Sequence, residues 1–182
     1  MNNEERILIQ RCQQGDRTAY EHIFLKYKDM VYNVAYGMLS NVENAEDMTQ
    51  EVFLHVFEKI SQFQFKSSFS TWLYRIVVNM CLNERRKQQN RDLDSTELKE
   101  QYERMRPSVN TPEEELLKKE RLNQVQQALA TLKDTHRTII VLREIEGLSY
   151  EELATVLKCS VGRVKSRLHE ARMELRRRLK KL

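Results

Sequence analysis

Apolar residues recur along most of this chain at the three-to-four spacing of amphipathic helices. Ile7, Leu8 and Cys12 mark a short first helix, closed near Gly15, and Asp16 is placed to cap the next. Residues 17–39 carry a broad stripe of Ala19, Tyr20, Ile23, Phe24, Tyr27, Val31, Val34, Ala35 and Met38. Asn41 opens a third helix running to about Ile60, with Ala45, Met48, Val52, Val56 and Phe57 as its buried stripe. The run SQFQFKSSFS breaks the pattern, and Ser70 or Thr71 starts a fourth helix through WLYRIVVNMCLNERRKQ. Periodicity is lost from Gln88 to Thr111, a polar stretch of mixed charge, helical at most around ELKEQYERM, and Pro107 and Pro112 lie in or beside it. It returns from Glu113 onward. The pattern predicts an all-α protein of two small helical domains, residues 1–90 and 113–182, joined by a flexible linker over 91–112.

Composition agrees with that class. Charged residues make up 32% of the 182 positions and aromatics 8%, with four Gly and two Pro, which leaves little turn-rich β structure. The formal net charge of +4 says less than its distribution. From Asn41 to Glu58 the chain holds Glu43, Glu46, Asp47, Glu51 and Glu58 and no Lys or Arg; from Lys158 to Leu182 ten Lys/Arg face two Glu. One surface suits a basic partner and another a polyanion. Cys12, Cys81 and Cys159 are odd in number and far apart, which argues against a disulfide framework or metal cluster and for reduced thiols. No apolar run reaches the ~20 residues of a membrane span, so no membrane insertion is expected. The start, MNNEERILIQ, lacks the basic and apolar regions of a signal peptide, so the expected location is the cytoplasm.

The C-terminal half contains a helix-turn-helix signature. Ser149-Tyr-Glu-Glu152 reads as a capping box that opens the helix YEELATVL. Ala154 permits a close helix crossing, Lys158-Cys159 form the turn, and Ser160 caps a second helix from Val161. Lys158 stands where such turns favour Gly, at a cost of ~1 kcal/mol. On the second helix Val161, Val164, Leu168, Ala171, Leu175 and Leu179 share one side, opposite Ser166, His169, Glu170 and Met173, with Arg163, Lys165 and Arg167 on the flanks. A helix packed on one side and polar or basic on the other fits the major groove.

Three segments together resemble one family. LREIEGLSYEELATVLKCSVGRVKSRLHEAR is similar to region 4 of the extracytoplasmic-function (ECF, group 4) sigma factors of the sigma-70 family. NVENAEDMTQEVFLHVFEKI and FSTWLYRIVVNMCLNERRK resemble its regions 2.2 and 2.3–2.4. The resemblance implies a promoter-specific transcription initiation factor, acting in a stress or envelope response, with region 2 for core polymerase and the −10 element and region 4 for the −35 element. It implies core RNA polymerase (the β′ clamp helices and the β subunit), promoter DNA and an anti-sigma factor as partners.

Residue chemistry supports these assignments unevenly. Asp47, Gln50, Glu51, Leu54 and Glu58 share one face of the third helix, an acidic surface with an exposed Leu that suits a basic partner helix and that the family presents to the β′ clamp. A merely solvated acidic face is the alternative. For the −10 element the loop offers Lys66 to a phosphate, Ser67 and Ser68 to base edges, and Phe65 and Phe69 for stacking. Asn79 and Asn83, one turn apart, can read base edges, whereas Arg85, Arg86 and Lys87 neutralise phosphates or fork to guanine. Trp72 and Tyr74 suit a core as well as a strand-separating role. The resemblance places Lys165, Ser166, His169 and Glu170 against the −35 element, with Ser160 and the helix amides on a phosphate. Arg163 and Arg167 add basic contacts, and Glu170 departs from the basic residue often found there. His22, His55, His136 and His169 show no metal spacing, and no phosphate loop or nucleophile motif occurs, so neither enzyme activity nor a cofactor is expected. His136 reads as a surface residue. A stand-alone helix-turn-helix regulator, and a sigma-related interaction protein without promoter activity, are the rival readings.

Overall fold

The computed structural model describes residues 3–94 and 123–181. The first half is four helices: α1 (Asn3–Gln13), α2 (Arg17–Leu39), α3 (Val42–Lys59) and α4 (Phe69–Asp94), with a 3-10 turn at Ile60–Gln62. The second half has α5 (residues 123–130), α6 (Asp134–Ile140) continued by a π turn at Val141–Ile145, α7 (Tyr150–Val156) and α8 (Val161–Leu179). The described residues form no strand. Helix α4 runs past residue 90 to Asp94, and the rest of the expected linker, with its helical ELKEQYERM stretch, lies outside the described residues.

Local chemistry sets the boundaries. Gly15 takes a left-handed φ of 86°, and Asp16 caps α2 by accepting from the Ala19 amide at 3.1 Å. Asn41 caps α3 through the Asn44 amide at 2.8 Å. Helix α4 starts earlier than either expected position: the Ser68 hydroxyl accepts from the Thr71 amide at 3.1 Å, so Phe69 is already helical. In α1 the anchor is Ile9, fully buried, while Ile7 is 50% exposed. In α3 Phe53, not Phe57, completes the stripe; Phe57 is 53% exposed and meets the edge of Tyr20 at 4.7 Å between centroids. Along α2 the expected stripe is buried, with Tyr20 and Phe24 half-buried at its margin.

The two halves share one continuous core. Helices α2 and α4 pack against α6, the π turn and α7. The backbone comes close at Gly37, where a Cβ would lie 2.8 Å from Val141 Cγ2, so a larger residue would force a shift. Beside it Arg137 is fully buried. Its guanidinium donates Nε–H to Leu129 O at 2.7 Å, Nη1–H to Met38 O at 2.7 Å, and Nη2–H to Ala130 O. Those carbonyls close α5 and approach the end of α2, where the negative ends of two helix dipoles compensate a buried cation. Arg85 reinforces the same point: Nε donates to Asp134 Oδ1 at 2.6 Å and Nη1 to Met38 O at 3.4 Å.

Arg137→Met keeps the volume and removes the donors, leaving buried carbonyls unpaired. It is expected to cost about 3 kcal/mol in chemical denaturation. Arg172→Met, which loses the exposed 2.7 Å pair with Glu144, is expected to cost under about 1 kcal/mol.

Candidate polymerase-docking and DNA-reading surfaces

Helix α3 turns Ala45, Met48, Val52, Phe53 and Val56 inward, which leaves Asp47, Gln50, Glu51, Leu54 and Glu58 exposed together. Leu54 is 66% exposed, and Phe57 extends the apolar part of this face. No ion pair engages Asp47, Glu51 or Glu58 among the described residues, so the carboxylates stand open to a partner. A shallow groove of about 290 Å³ between α2 and α3 borders the face at Gln50.

The loop before α4 departs from expectation at several residues. Phe69 is fully buried against Tyr27, Phe63 and Trp72, so its ring is not available to stack on a base. The Ser68 hydroxyl caps α4 and meets Thr71 Oγ1 at 2.7 Å and Ser70 Oγ at 3.0 Å, which commits it to the loop itself. Ser67 is half-buried, donating to Ser68 O at 3.2 Å, while Lys66 is exposed. Phe65 adopts a left-handed φ of 57° and packs on Phe63 with the Arg6 guanidinium 5.2 Å from its centroid. Trp72 is half-buried in the same aromatic cluster. Gln13 holds the loop from α1, donating from Nε2 to Ile60 O and Phe63 O at 2.9 Å each. No periodicity marks Gln13 in the sequence, because its role depends on a contact some 50 residues away. Along α4, Asn79, Asn83 and Arg86 are exposed, but Arg85 is held by Asp134 and Met38 and does not face outward.

The helix-turn-helix is formed by α7 and α8. Ser149 and Glu152 make a reciprocal capping box, with amide-to-side-chain distances of 3.2 and 2.8 Å. Lys158 takes the left-handed φ of 50° that its turn position calls for, and Ser160 caps α8 through the Arg163 amide at 3.3 Å. Val164, Leu168 and Ala171 are buried, while Arg163, Lys165, Ser166, His169 and Glu170 are exposed and Arg167 is half-buried. Lys165 also lies 5.8 Å from the Tyr150 ring centroid. His136 is no surface residue: it is 4% exposed, its Nδ1 is 2.6 Å from Glu174 Oε2, and its Nε2 is 3.6 Å from Glu170 Oε2. Adjacent positions on α6 and α8 converge there because both helices bury their apolar faces on each other.

Comparison with known proteins decides what these surfaces belong to. Sigma-70 region 2 matches residues 23–91, and Sigma-70 region 4 matches residues 122–175. The ECF RNA polymerase sigma factor SigW of Bacillus subtilis is 36% identical over 179 residues, covering 96% of each chain. The chain belongs to the ECF RNA polymerase sigma factors. The ECF RNA polymerase sigma-E factor of Escherichia coli is 32% identical over 174 residues, covering 92% of this chain and 90% of the relative. Among solved structures, the sigma factor RpoE of Bartonella quintana, in complex with the anti-sigma factor NepR, is 25% identical with a TM-score of 0.70, covering 88% of this chain and 96% of that one. CnrH, in complex with the cytosolic domain of CnrY, shares the fold at 23% identity and a TM-score of 0.71, covering 97% of each.

In this sigma factor the two halves also meet at a titratable contact. Tyr74 donates its hydroxyl proton to Glu146 Oε2 at 2.9 Å. Burial raises the Glu146 carboxyl above its ordinary value, and hydrogen bonds from Tyr74 and Asn33 offset part of that rise. Burial and the neighbouring Glu146 likewise push the Tyr74 phenol up. Burial raises the Cys12 thiol to about 11 and the Cys81 thiol to about 12, which keeps both protonated and unreactive. No described helix is long and apolar enough to cross a membrane.

An acid whose pKa is raised by packing destabilises the packed form once it ionises. Below the ordinary carboxylate value, packed and separated forms both keep the proton and no penalty exists. The penalty grows as pH rises through that value toward the raised one, and it persists at neutral pH. Glu146→Gln keeps an acceptor for Tyr74 and removes the charge. Its Tm is expected to exceed the parent's at neutral pH, with the gap closing below about pH 4; a gap independent of pH would contradict this.

Proposed function

We propose that this sigma factor docks on core RNA polymerase through the α3 face of Asp47, Gln50, Glu51, Leu54 and Glu58, and directs promoter-specific initiation. The observation that carries the reading is an open, unpaired acidic face around an exposed leucine, on a chain whose other half ends in a basic helix-turn-helix. In this reading residues 1–90 bind polymerase and the −10 element, and residues 113–182 bind the −35 element. Lys66, Asn79, Asn83 and Arg86 meet the −10 strand, while Ser67 contributes its half-buried edge. Arg163, Lys165, Ser166, Arg167 and His169 meet the −35 duplex, and Ser160 with the first α8 amides holds a phosphate. The protein acts in the cytoplasm as a specificity subunit and performs no catalysis of its own.

An anti-sigma factor is the further partner in this reading, supported by the likeness to the sigma factor RpoE solved with the anti-sigma factor NepR. Two elements some 25 base pairs apart are separated by about 85 Å of duplex at roughly 3.4 Å per pair. A compact chain of this length has a radius of gyration of about 16 Å, so the packed arrangement cannot reach both elements together. In this reading promoter binding separates α2 and α4 from α6 and α7, and a protein partner that favours the packed form opposes it. Release of that partner in an envelope or other stress response fits this scheme.

Run-off transcription with purified core polymerase on candidate promoters tests the reading. A transcript that depends on this chain is expected; DNA binding without any transcript would sink the promoter role. Asp47→Arg with Glu51→Arg is expected to weaken core binding at least tenfold while leaving Tm unchanged, because both side chains are exposed. Undiminished core affinity would refute the docking face.

A further inference from the structure

Glu170 is an anomaly on a helix meant for a polyanion. It is exposed, it follows His169, and it lies one turn beyond Ser166. Phosphates repel a carboxylate, and of the base edges in the major groove only an amino group, such as that of cytosine, would welcome it. The structure gives it another partner. His136 comes from α6, and its ring is fixed by packing, with its side chain 6% exposed. Nδ1 lies 2.6 Å from Glu174 Oε2, and Arg178 Nη2 holds the other oxygen of Glu174 at 3.5 Å. That hydrogen bond is the main reason the Glu174 carboxyl is held below its ordinary value. With Nδ1–H given to Glu174, only the doubly protonated ring has an Nε2–H to offer Glu170 Oε2, which lies 3.6 Å away. Lys133, His169 and Arg177 line the same groove, so the Glu170 carboxylate rests among cationic or hydrogen-bonding groups.

We propose that His136, as the imidazolium, is a positioning residue for DNA recognition: with Nδ1–H held by Glu174, it attracts Glu170 through Nε2–H and biases that negative charge toward α6, relative to the duplex face that Lys165, Ser166 and His169 present. The chain Arg178–Glu174–His136–Glu170 runs from the C-terminal turns of α8, across α6, and back to the middle of α8. It sets the charge of the reading surface without itself touching a base. Without His136, Glu170, whose side chain is 63% exposed, is free to swing outward. The inference rests on the reading of α8 as the upstream DNA reader.

The test is a double-mutant cycle on the full chain bound to core polymerase, with duplexes that the parent holoenzyme selects from a randomised library as the probe. His136→Leu is expected to weaken binding roughly three- to fivefold, in line with a released exposed charge. Glu170→Gln is expected to improve binding at least about threefold more in the His136→Leu background than in the parent. Equal effects in the two backgrounds would overturn the proposal. Circular dichroism and core affinity report whether His136→Leu folds. Should it not, Glu174→Gln unties the ring from its other side and is expected to enlarge the Glu170→Gln effect in the same way; additivity there overturns the proposal too. Lys165→Ala separates the two levels of the argument. If it weakens binding while the cycle is additive, α8 reads DNA and His136 plays no part. If it has no effect, the reading of α8 fails and the role of His136 falls with it.

Discussion

The tertiary arrangement depends on one buried cation. Arg137 has no access to solvent, and its planar fork reaches three backbone carbonyls, of Met38, Leu129 and Ala130. A buried guanidinium is tolerable only with its donors matched, and here the acceptors are carbonyls at or near helix C-termini, where the helix dipole already places negative charge. Those carbonyls have few intrahelical donors, so each side meets the other's need. Because Met38 belongs to the first half and the other two carbonyls to the second, the same group that completes α5 also fixes where α2 lies against it. Gly37 permits that approach by leaving room for Val141.

The consequence is a sigma factor whose two binding halves share an apolar core. The packing leaves the candidate binding faces at the surface: the acidic face of α3, the asparagine pair on α4 and the outer side of α8 are all exposed. Arg85 is the exception, drawn into the junction by Asp134. The junction is not uniformly favourable either, since Glu146 is buried against Tyr74 at the expense of its own ionisation. A contact built partly on a carboxylate whose ionisation is opposed can be exchanged for a better partner, which suits the proposed spreading of the halves along DNA.

Much of the local structure was legible from short-range chemistry. The capping box of Ser149 and Glu152, the caps at Asp16, Asn41 and Ser160, and the left-handed positions of Gly15 and Lys158 each depend on residues within a few positions of one another. The exposed faces of α3 and α8 followed from periodicity, because a helix with one apolar side can present its remaining sides only to solvent or a partner. The misreadings share a different cause. Phe69 sits in a polar loop sequence, yet its ring fills a space made by Tyr27, Phe63 and Trp72. Phe57 sits on the apolar stripe by count but lies at its edge, 53% exposed, with its ring on Tyr20. In neither case did local spacing give the outcome; packing against residues distant along the chain decided it.

The amino-acid sequence by itself determined the helices, most of their caps, the exposed faces of α3 and α8 and, through three ordered motifs, the family, because each of these is written in contacts between residues close along the chain. Tertiary structure alone decided that Arg137 would join the halves, that Gln13 would pin the loop before α4, and that His136 would reach Glu170 and Glu174 across two helices. These pairings link residues 34 to 99 positions apart. A side chain's partner at that separation is set by how apolar faces dock, and no local pattern records it.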